Sequence, residues 1–270
     1  MVDVRSSFSG SIPGYYDRHL GPAFDDAFAV DLAQRLPKLP PGDVLEIACG
    51  TGLVTNHLRA RLDPAVRLVA TDLSKAMLDY ASSKLSDRKG IEWREADAVE
   101  LPFADGEFGA VVCAFGLMYV PDKLAALREA RRVLKDGGIL LFNVWDRIEE
   151  NQHAWINAQI IEALFPGDEK MRFRTPFEMY DRARLRQLLE DADFREMRIE
   201  TVRLPFGPVS ARSVATGMIR GTPRSMLLDE RGVPLGEVIE KVAAALAKAS
   251  GNDPYRGQAQ AVIVEACGKA

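Results

Sequence analysis

Three carboxylates in this chain, Glu46, Asp72 and Asp97, lie 26 and 25 residues apart, each in or just beyond a short apolar or β-branched run. Carboxylates at successive strand ends accept hydrogen bonds from ribose hydroxyls or from amino groups, and they repel a polyphosphate. Immediately behind the first acid comes Ala48-Cys49-Gly50-Thr51-Gly52, a stretch of small residues that cannot prolong a strand. Gly50 and Gly52 begin a G-x-G-x-x-G pattern, but Thr55 stands where its third glycine belongs, and no G-K-[ST] follows. The turn therefore departs from both the dinucleotide fingerprint and the P-loop.

The elements that position these acids follow from periodicity. Val44 to Ile47 reads as a buried strand, and Leu53, Val54, Leu58 and Leu62 recur at helical spacing. The small-residue turn thus opens a helix whose unpaired N–H groups face the strand end, where an open α/β sheet places its ligand. Strands at Val66 to Asp72, Ile91 to Arg94, Phe108 to Phe115 and Ile139 to Trp145 alternate with helices at Leu73 to Leu85, with Ser74 as N-cap, and Leu124 to Leu134. Lys135-Asp136-Gly137-Gly138 reads as the stop of the second helix. This alternation predicts a doubly wound α/β sheet.

Upstream, residues 1 to 22 read as a loose arm anchored by Tyr15 and Tyr16. Phe24, Phe28, Leu32 and Leu36 then predict an amphipathic helix ending at Pro37, with Pro40-Pro41-Gly42 as a break. Downstream, helices are expected at Ala154 to Phe165, Ala183 to Asp191, Val214 to Ile219 and Leu235 to Lys248, and strands at Met197 to Leu204 and Ala259 to Ala266. The expected organisation is an arm and lid helix at 1–40, a core at 41–146, cap insertions at 147–180 and 207–256, and remaining core elements at 181–206 and 257–270. The two insertions are too long for ordinary connections.

Composition points to a small-molecule partner. The chain has 270 residues, 47% of them apolar, and a net charge of −4 with its basic residues scattered, which argues against a nucleic-acid surface. Cys49, Cys113 and Cys267 lack C-x-x-C spacing and read as reduced, buried thiols in a cytoplasmic protein. No apolar run approaches the roughly 20 residues of a membrane span. His19, His57 and His153 lack metal-ligand spacing, so no metal is expected.

The acids suit an uncharged nucleoside that carries a positive group, and S-adenosylmethionine answers that description. Asp97 would meet the adenine amino group, Ala98 would offer a backbone N–H to a ring nitrogen, and Leu73 and Met77 would sandwich the base. The stretches Val44 to Gly52, Thr71 to Ser74, Ala96 to Ala98, Leu101 to Phe103, Phe108 to Val120 and Arg132 to Ile139 together make the chain resemble the class I S-adenosylmethionine-dependent methyltransferases, within the group of ubiquinone and menaquinone C-methyltransferases. The resemblance implies a Rossmann-like seven-stranded sheet of order 3-2-1-4-5-7-6 with an antiparallel last strand, S-adenosyl-L-methionine as cofactor and S-adenosyl-L-homocysteine as product. Carried over by position, it implies that Glu46, Ala48, Gly50 and Gly52 hold the methionine end, Asp72 the ribose, Asp97 and Ala98 the adenine, while Ala114 and Phe115 face the sulfonium. Ala48 stands where relatives carry glycine, which is tolerable if its φ stays negative. Gly109 replaces an aspartate common before the fourth strand, and Tyr119 replaces a histidine.

The expected reaction is methyl transfer to a small, hydrophobic or aromatic molecule by a monomer or homodimer. Methyl transfer from a sulfonium is an in-line displacement in which alignment does most of the work. Where a base is needed, His153, Tyr16 and Tyr119 are the candidates, and Tyr16 is also a candidate to fold over the donor. Phe173, Phe177, Met179, Phe206, Met218, Ile219 and Met226 would make the cap apolar. Trp145, Trp155 and Phe165 read as core. The alternatives are a non-catalytic adenosyl-binding regulatory protein and a nicotinamide-dependent oxidoreductase.

Overall fold

The computed structural model describes residues 8, 10–37, 42–172 and 174–268. Seven strands form one sheet: β1 (Asp43–Glu46), β2 (Leu68–Asp72), β3 (Ile91–Glu95), β4 (Phe108–Ala114), β5 (Leu134–Trp145), β6 (Phe194–Pro205) and β7 (Gln258–Gly268). Their order is β3-β2-β1-β4-β5-β7-β6. Every pair from β3 to β5 is parallel, and β7 runs antiparallel to both β5 and β6. The winding reverses between β1 and β4, so a crevice opens at the carboxyl ends of those two strands. β2 and most of β4 are buried, as their unbroken apolar runs require of strands covered on both faces.

The helices are α1 (Asp26–Arg35), α2 (Leu53–Arg61), α3 (Lys75–Lys84), α4 (Lys123–Val133), α5 (Gln152–Leu164), α6 (Arg182–Asp191), α7 (Ala211–Arg220), α8 (Arg224–Asp229) and α9 (Leu235–Ser250). Ser74 caps α3 by accepting the Met77 N–H, and Asp122 caps α4 through Ala125. The helix α8 carries too few residues to show a period and was not foreseen. Lys135 to Gly138 do not stop α4, because the helix ends at Val133 and those residues open β5. Leu134 already pairs with Phe108, and the irregular register that follows absorbs the glycines, with Gly137 at φ +70°.

The largest departure from expectation is the described part of the arm. Instead of a loop, the chain is helical from Ile12, with one turn at Ile12–Tyr15 leading into a π-helix over Tyr16–Asp25 and then α1. Pro22 lies inside the π-helix and has no N–H to give, and the Asp26 N–H reaches back to the Gly21 carbonyl across the wider turn. An apolar pattern spaced for that winding has no 3.6-residue period, so the segment reads as structureless. The break at Pro40-Pro41 lies outside the described residues.

Helix α7 forms a bed for the π-helix. A Cβ at Gly221 would stand 2.9 Å from the backbone N and Cα of Tyr16, and one at Gly217 would meet the Leu20 side chain. Gly207, beside them, donates its N–H to the Ala23 carbonyl at 2.8 Å. Helices α5, α7 and α9 pack on one another and α7 packs on the π-helix, and residues of α5, α7 and the π-helix roof the crevice. All three cysteines are free; Cys49 and Cys113 are buried, while Cys267 is only half-buried because it lies where β7 meets the edge strand.

Candidate functional site

The crevice widens into a cavity of about 790 Å³ under this roof. Its floor is the turn after β1. Ala48, Gly50 and Gly52 have φ of +55°, +54° and +75°. Ala48 therefore adopts the left-handed conformation rather than the negative φ expected of a non-glycine residue, at a cost of roughly 1–2 kcal/mol. Its methyl fits because the residue facing it is Gly116, where a Cβ would overlap the Ala48 side chain and come 3.0 Å from Cys113 Sγ. Cys49 donates its N–H to the Thr71 carbonyl and Gly52 donates to the Cys49 carbonyl, both at 2.9 Å. At Gly52 a side chain would also meet Ala81 on α3 and Leu85 just beyond its end, so helix and turn approach as closely as a glycine permits.

Two of the three strand-end acids are deeply buried. Asp72 spans the turn, accepting the Gly50 N–H on Oδ2 and the Ser74 N–H on Oδ1, both at 2.8 Å. Burial raises its pKa, and the backbone N–H groups pull it back. Glu46 is 1% exposed. Desolvation pushes its pKa up to about 8, offset in part by Thr55 on α2, and the Asp72 charge raises it further. Its Oε2 has no hydrogen-bond partner among the described residues. Two buried acids side by side, one with an unpartnered oxygen, leave carboxyl oxygens that a cation would draw into their charged form. Asp97 is half-buried and accepts the Val99 N–H at 3.2 Å, and Ala98 is buried beside it.

These residues come together as expected from the sequence. Glu46, Ala48, Gly50, Asp72, Leu73, Met77, Asp97, Ala98, Ala114 and Phe115 line one cavity; Gly52 shapes its floor from behind. Phe115 is held at φ +49°, its N–H bonded to Asn143 Oδ1 at 2.9 Å and its ring stacked on Trp145 with centroids 3.9 Å apart. Trp145 itself lines the cavity, as do Phe177 and Met218. Met226 is exposed, Phe206 packs on Phe24 and Tyr255, and Phe173 lies outside the described residues. Trp155 and Phe165 carry the guanidinium groups of Arg174 and Arg231 over their rings.

Tyr16, Tyr119 and His153 also reach the cavity. His153 lies in the first turn of α5, two residues after Asn151, which exchanges hydrogen bonds with the Gln260 backbone at 2.9 and 3.0 Å, while Asp146 takes bonds from Gln260 and Arg182 at 2.7 and 2.8 Å; the His153 Nδ1 itself has no partner among the described residues. Its ring packs between Phe24 and Phe206, and desolvation pushes its pKa down to about 3. The ring is neutral at pH 7 and weakly basic. Burial raises both tyrosine hydroxyls, aided by the Asp25 charge.

Sequence reasoning missed Asp25, Asn157 and Arg224, all of which line the same cavity and are at least 95% buried. Asp25 carried no signal at α-helical spacing. Asn157 sits in an ordinary helical pattern, and Arg224 follows Gly221-Thr222-Pro223, a stretch without chemical motif. Phe8 closes one edge, its ring edge-on to Tyr119 at 5.6 Å and its carbonyl accepting the Ser74 hydroxyl. Asp17 latches the π-helix to α3 through Tyr80 at 3.1 Å and through Lys84.

Residues 45–142 match the family described as methyltransferase domain. Demethylmenaquinone methyltransferase of Lactococcus lactis is 36% identical over 115 residues, which is 42% of this chain and 46% of that protein. The alignment thus spans under half of that relative's length. Among solved structures, a putative methyltransferase from Bacillus halodurans superimposes with a TM-score of 0.56 at 19% identity, covering 91% of this chain and 99% of that one. Phosphoethanolamine N-methyltransferase 2 of Haemonchus contortus, solved with phosphomonomethylethanolamine and S-adenosylhomocysteine, gives 0.65 at 13% identity, covering 100% and 61%. These two likenesses establish the fold. No helix among the described residues is long and apolar enough to cross a membrane.

Proposed function

We propose, from the class I methyltransferase domain that this chain carries over residues 45–142, that the protein transfers the methyl group of S-adenosylmethionine to a small, hydrophobic or aromatic acceptor. One observation carries the reading: the cavity that collects Glu46, Asp72 and Asp97 at three strand ends continues into a space walled by Phe24, Trp145, Phe177 and Met218. Polar recognition of one molecule and apolar accommodation of another therefore share one volume, at the upper end of the roughly 300–1,000 Å³ usual for small-molecule sites. The demethylmenaquinone methyltransferase relative supports an aromatic acceptor.

The residues fit the donor. Glu46, with its unpartnered Oε2, would take the ammonium of the methionine end, and Gly50 and Gly52 let that end approach the backbone. Asp72 has already spent one lone pair of each oxygen on the turn and keeps the remainder for ribose hydroxyls. Asp97 and Ala98 would hold the adenine, with Leu73 and Met77 against its faces. Bound there, the donor supplies a methyl group on a positively charged sulfur, already activated for displacement. Ala114 and the rigidly held Phe115 then fix where the acceptor meets that methyl. Alignment of this kind supplies roughly 7–11 kcal/mol of barrier lowering. The roof of α5 and α7 with the π-helix excludes water.

Calorimetry with S-adenosylhomocysteine and, separately, NAD tests the donor assignment: binding of the former and none of the latter is expected, and the reverse would overturn it. Transfer of label from S-adenosylmethionine to apolar aromatic acceptors in a panel, in preference to charged ones, tests the acceptor.

Replacing Glu46 with Gln provides a sharper test. It keeps the shape but removes the charge that the ligand's ammonium would draw out, so S-adenosylhomocysteine affinity should fall roughly tenfold to a hundredfold, the range of a charged hydrogen bond. Because Glu46 is protonated near pH 7 before the ligand arrives, wild-type binding should release a proton, visible as a buffer-dependent heat that disappears in Glu46→Gln. Equal buffer dependence in the two proteins would refute the assignment of Glu46 to the ammonium.

A further inference from the structure

The π-helix does something an α-helix of the same sequence would not. Tyr16 and Asp25 are nine positions apart. At 3.6 residues per turn that spacing puts them on opposite faces; at the roughly 4.4 residues per turn of i→i+5 bonding it spans about two turns and puts them on the same face. Both side chains line the cavity, with Leu20 between them. Asp25 is 5% exposed, and neither carboxyl oxygen reaches full hydrogen-bond geometry with a group among the described residues, the Tyr16 hydroxyl being the polar group set against it. A buried carboxyl left this way costs stability, so its place at the cavity wall asks for a ligand group.

We propose that Asp25 is the proton acceptor for the methyl acceptor, set beside Tyr16 by the π-helical winding, and that the acceptor class is a phenol or enol of an apolar molecule. The proposal rests on the methyltransferase reading and adds to it the base and the functional group. The groups facing Asp25 are Tyr16 and Asp17 from the π-helix, with Tyr119 after β4, His153 on α5 and Arg224 on α8 sharing the cavity wall or its field. Burial pushes Asp25 up to about 8, with Tyr16 drawing it down and Asp17 raising it. That places its proton exchange close to neutral pH, where a general base works best. His153, pushed the other way, is the weaker base of the two.

The choice of a hydroxyl over an amine comes from Arg224. Its guanidinium, 95% buried in the cavity wall with Tyr119 and Glu162 in its field, places positive charge at this end of the cavity, which favours a group that becomes anionic over an ammonium. In the step, the acceptor's O–H bond breaks and its proton passes to an Asp25 oxygen. The electron pair left on the acceptor, at the oxygen or at the conjugated ring carbon, forms the bond to the methyl carbon, and the methyl–sulfur pair stays with the sulfur, discharging it. Tyr16 and Tyr119 supply hydroxyl donors for the developing oxyanion.

The test uses the full chain with S-adenosylmethionine and a graded series of phenols, with 4-nitrophenol as the spectroscopic probe because its phenolate is yellow. Wild-type protein saturated with S-adenosylhomocysteine should bind 4-nitrophenol and display the phenolate band. Its methyl transfer to 1-naphthol should rise with pH through about 8. Asp25→Asn, which keeps the shape of the protonated acid, should retain S-adenosylhomocysteine affinity within a factor of two or three. It should lose the phenolate band and slow transfer at least about a hundredfold, with a flat pH profile. Tyr16→Phe should weaken the phenolate band while keeping the pH dependence. Undiminished transfer in Asp25→Asn, a phenolate band that persists in it, or preferential methylation of an aliphatic amine would each overturn the proposal. Wild-type protein that binds S-adenosylhomocysteine but no phenol sinks this inference alone, whereas failure to bind S-adenosylhomocysteine sinks the methyltransferase reading beneath it.

Discussion

Gly116→Ala is expected to destabilise the protein by roughly 1–3 kcal/mol, the usual range for overpacking a tight contact, and Ala48→Gly in the same chain is expected to restore most of it. A Cβ at Gly116 overlaps the Ala48 methyl, and that methyl occupies the space only because Ala48 sits at φ +55°. The two positions therefore share one methyl-sized volume, which either residue fills but not both. Ala48→Gly alone should be near neutral or mildly stabilising, since relief of the left-handed strain is countered by the greater freedom of glycine in the unfolded chain. Urea midpoints of the four proteins in a double-mutant cycle measure the coupling, expected at about 1 kcal/mol or more. Calorimetry with S-adenosylhomocysteine should show Gly116→Ala weakened as well, because the displaced turn carries Gly50 and its bond to Asp72. Additive single effects would show that the turn yields without cost.

The second large effect is on stability against pH. Glu46 and Asp25 both have folded-state values of about 8, above their ordinary values of 4.5 and 3.8. The folded chain thus keeps two protons that the unfolded chain gives up near pH 4, and this contribution is full at low pH and lost as pH rises to about 8. His153 acts in the opposite direction below its ordinary 6.5, because it stays neutral in the folded state where the unfolded ring is charged. Between pH 5 and 6.5 it cancels part of the slope. From about 6.5 to 8 the two acids act unopposed, and at roughly 1.4 kcal/mol per pH unit per group the ligand-free protein should lose up to about 4 kcal/mol. Urea unfolding at half-unit intervals from pH 5 to 9 measures this. The slope should flatten in Glu46→Gln combined with Asp25→Asn. S-adenosylhomocysteine should also flatten it, by giving Glu46 a cation to face. A level midpoint from 6.5 to 8 would show that water or relaxation solvates both acids.

The sequence by itself determined the sheet and the three acids at its strand ends. The strands before Glu46 and Asp72 are short, largely apolar runs and the one before Asp97 is a short alternating stretch, Ile91–Glu95; where each stops is a local fact, so the three acids were placed by counting. The helices over 53–61, 75–84 and 123–133 followed from 3.6-residue periodicity for the same reason. Only the tertiary structure decided the rest. Ala48 is left-handed because Gly116, 68 positions later, leaves room for its methyl, and no pattern around Ala48 carries that information. The K-D-G-G stretch joined a strand because Leu134 pairs with Phe108 across the sheet. Asp25 stayed invisible because it acts through a winding that periodicity at 3.6 cannot register, on a helix that α7 receives with Gly217 and Gly221. The strand-end acids of the cavity are thus written in local order along the chain, while its Asp25 end exists only where the π-helix, the turn after β4 and α8 converge.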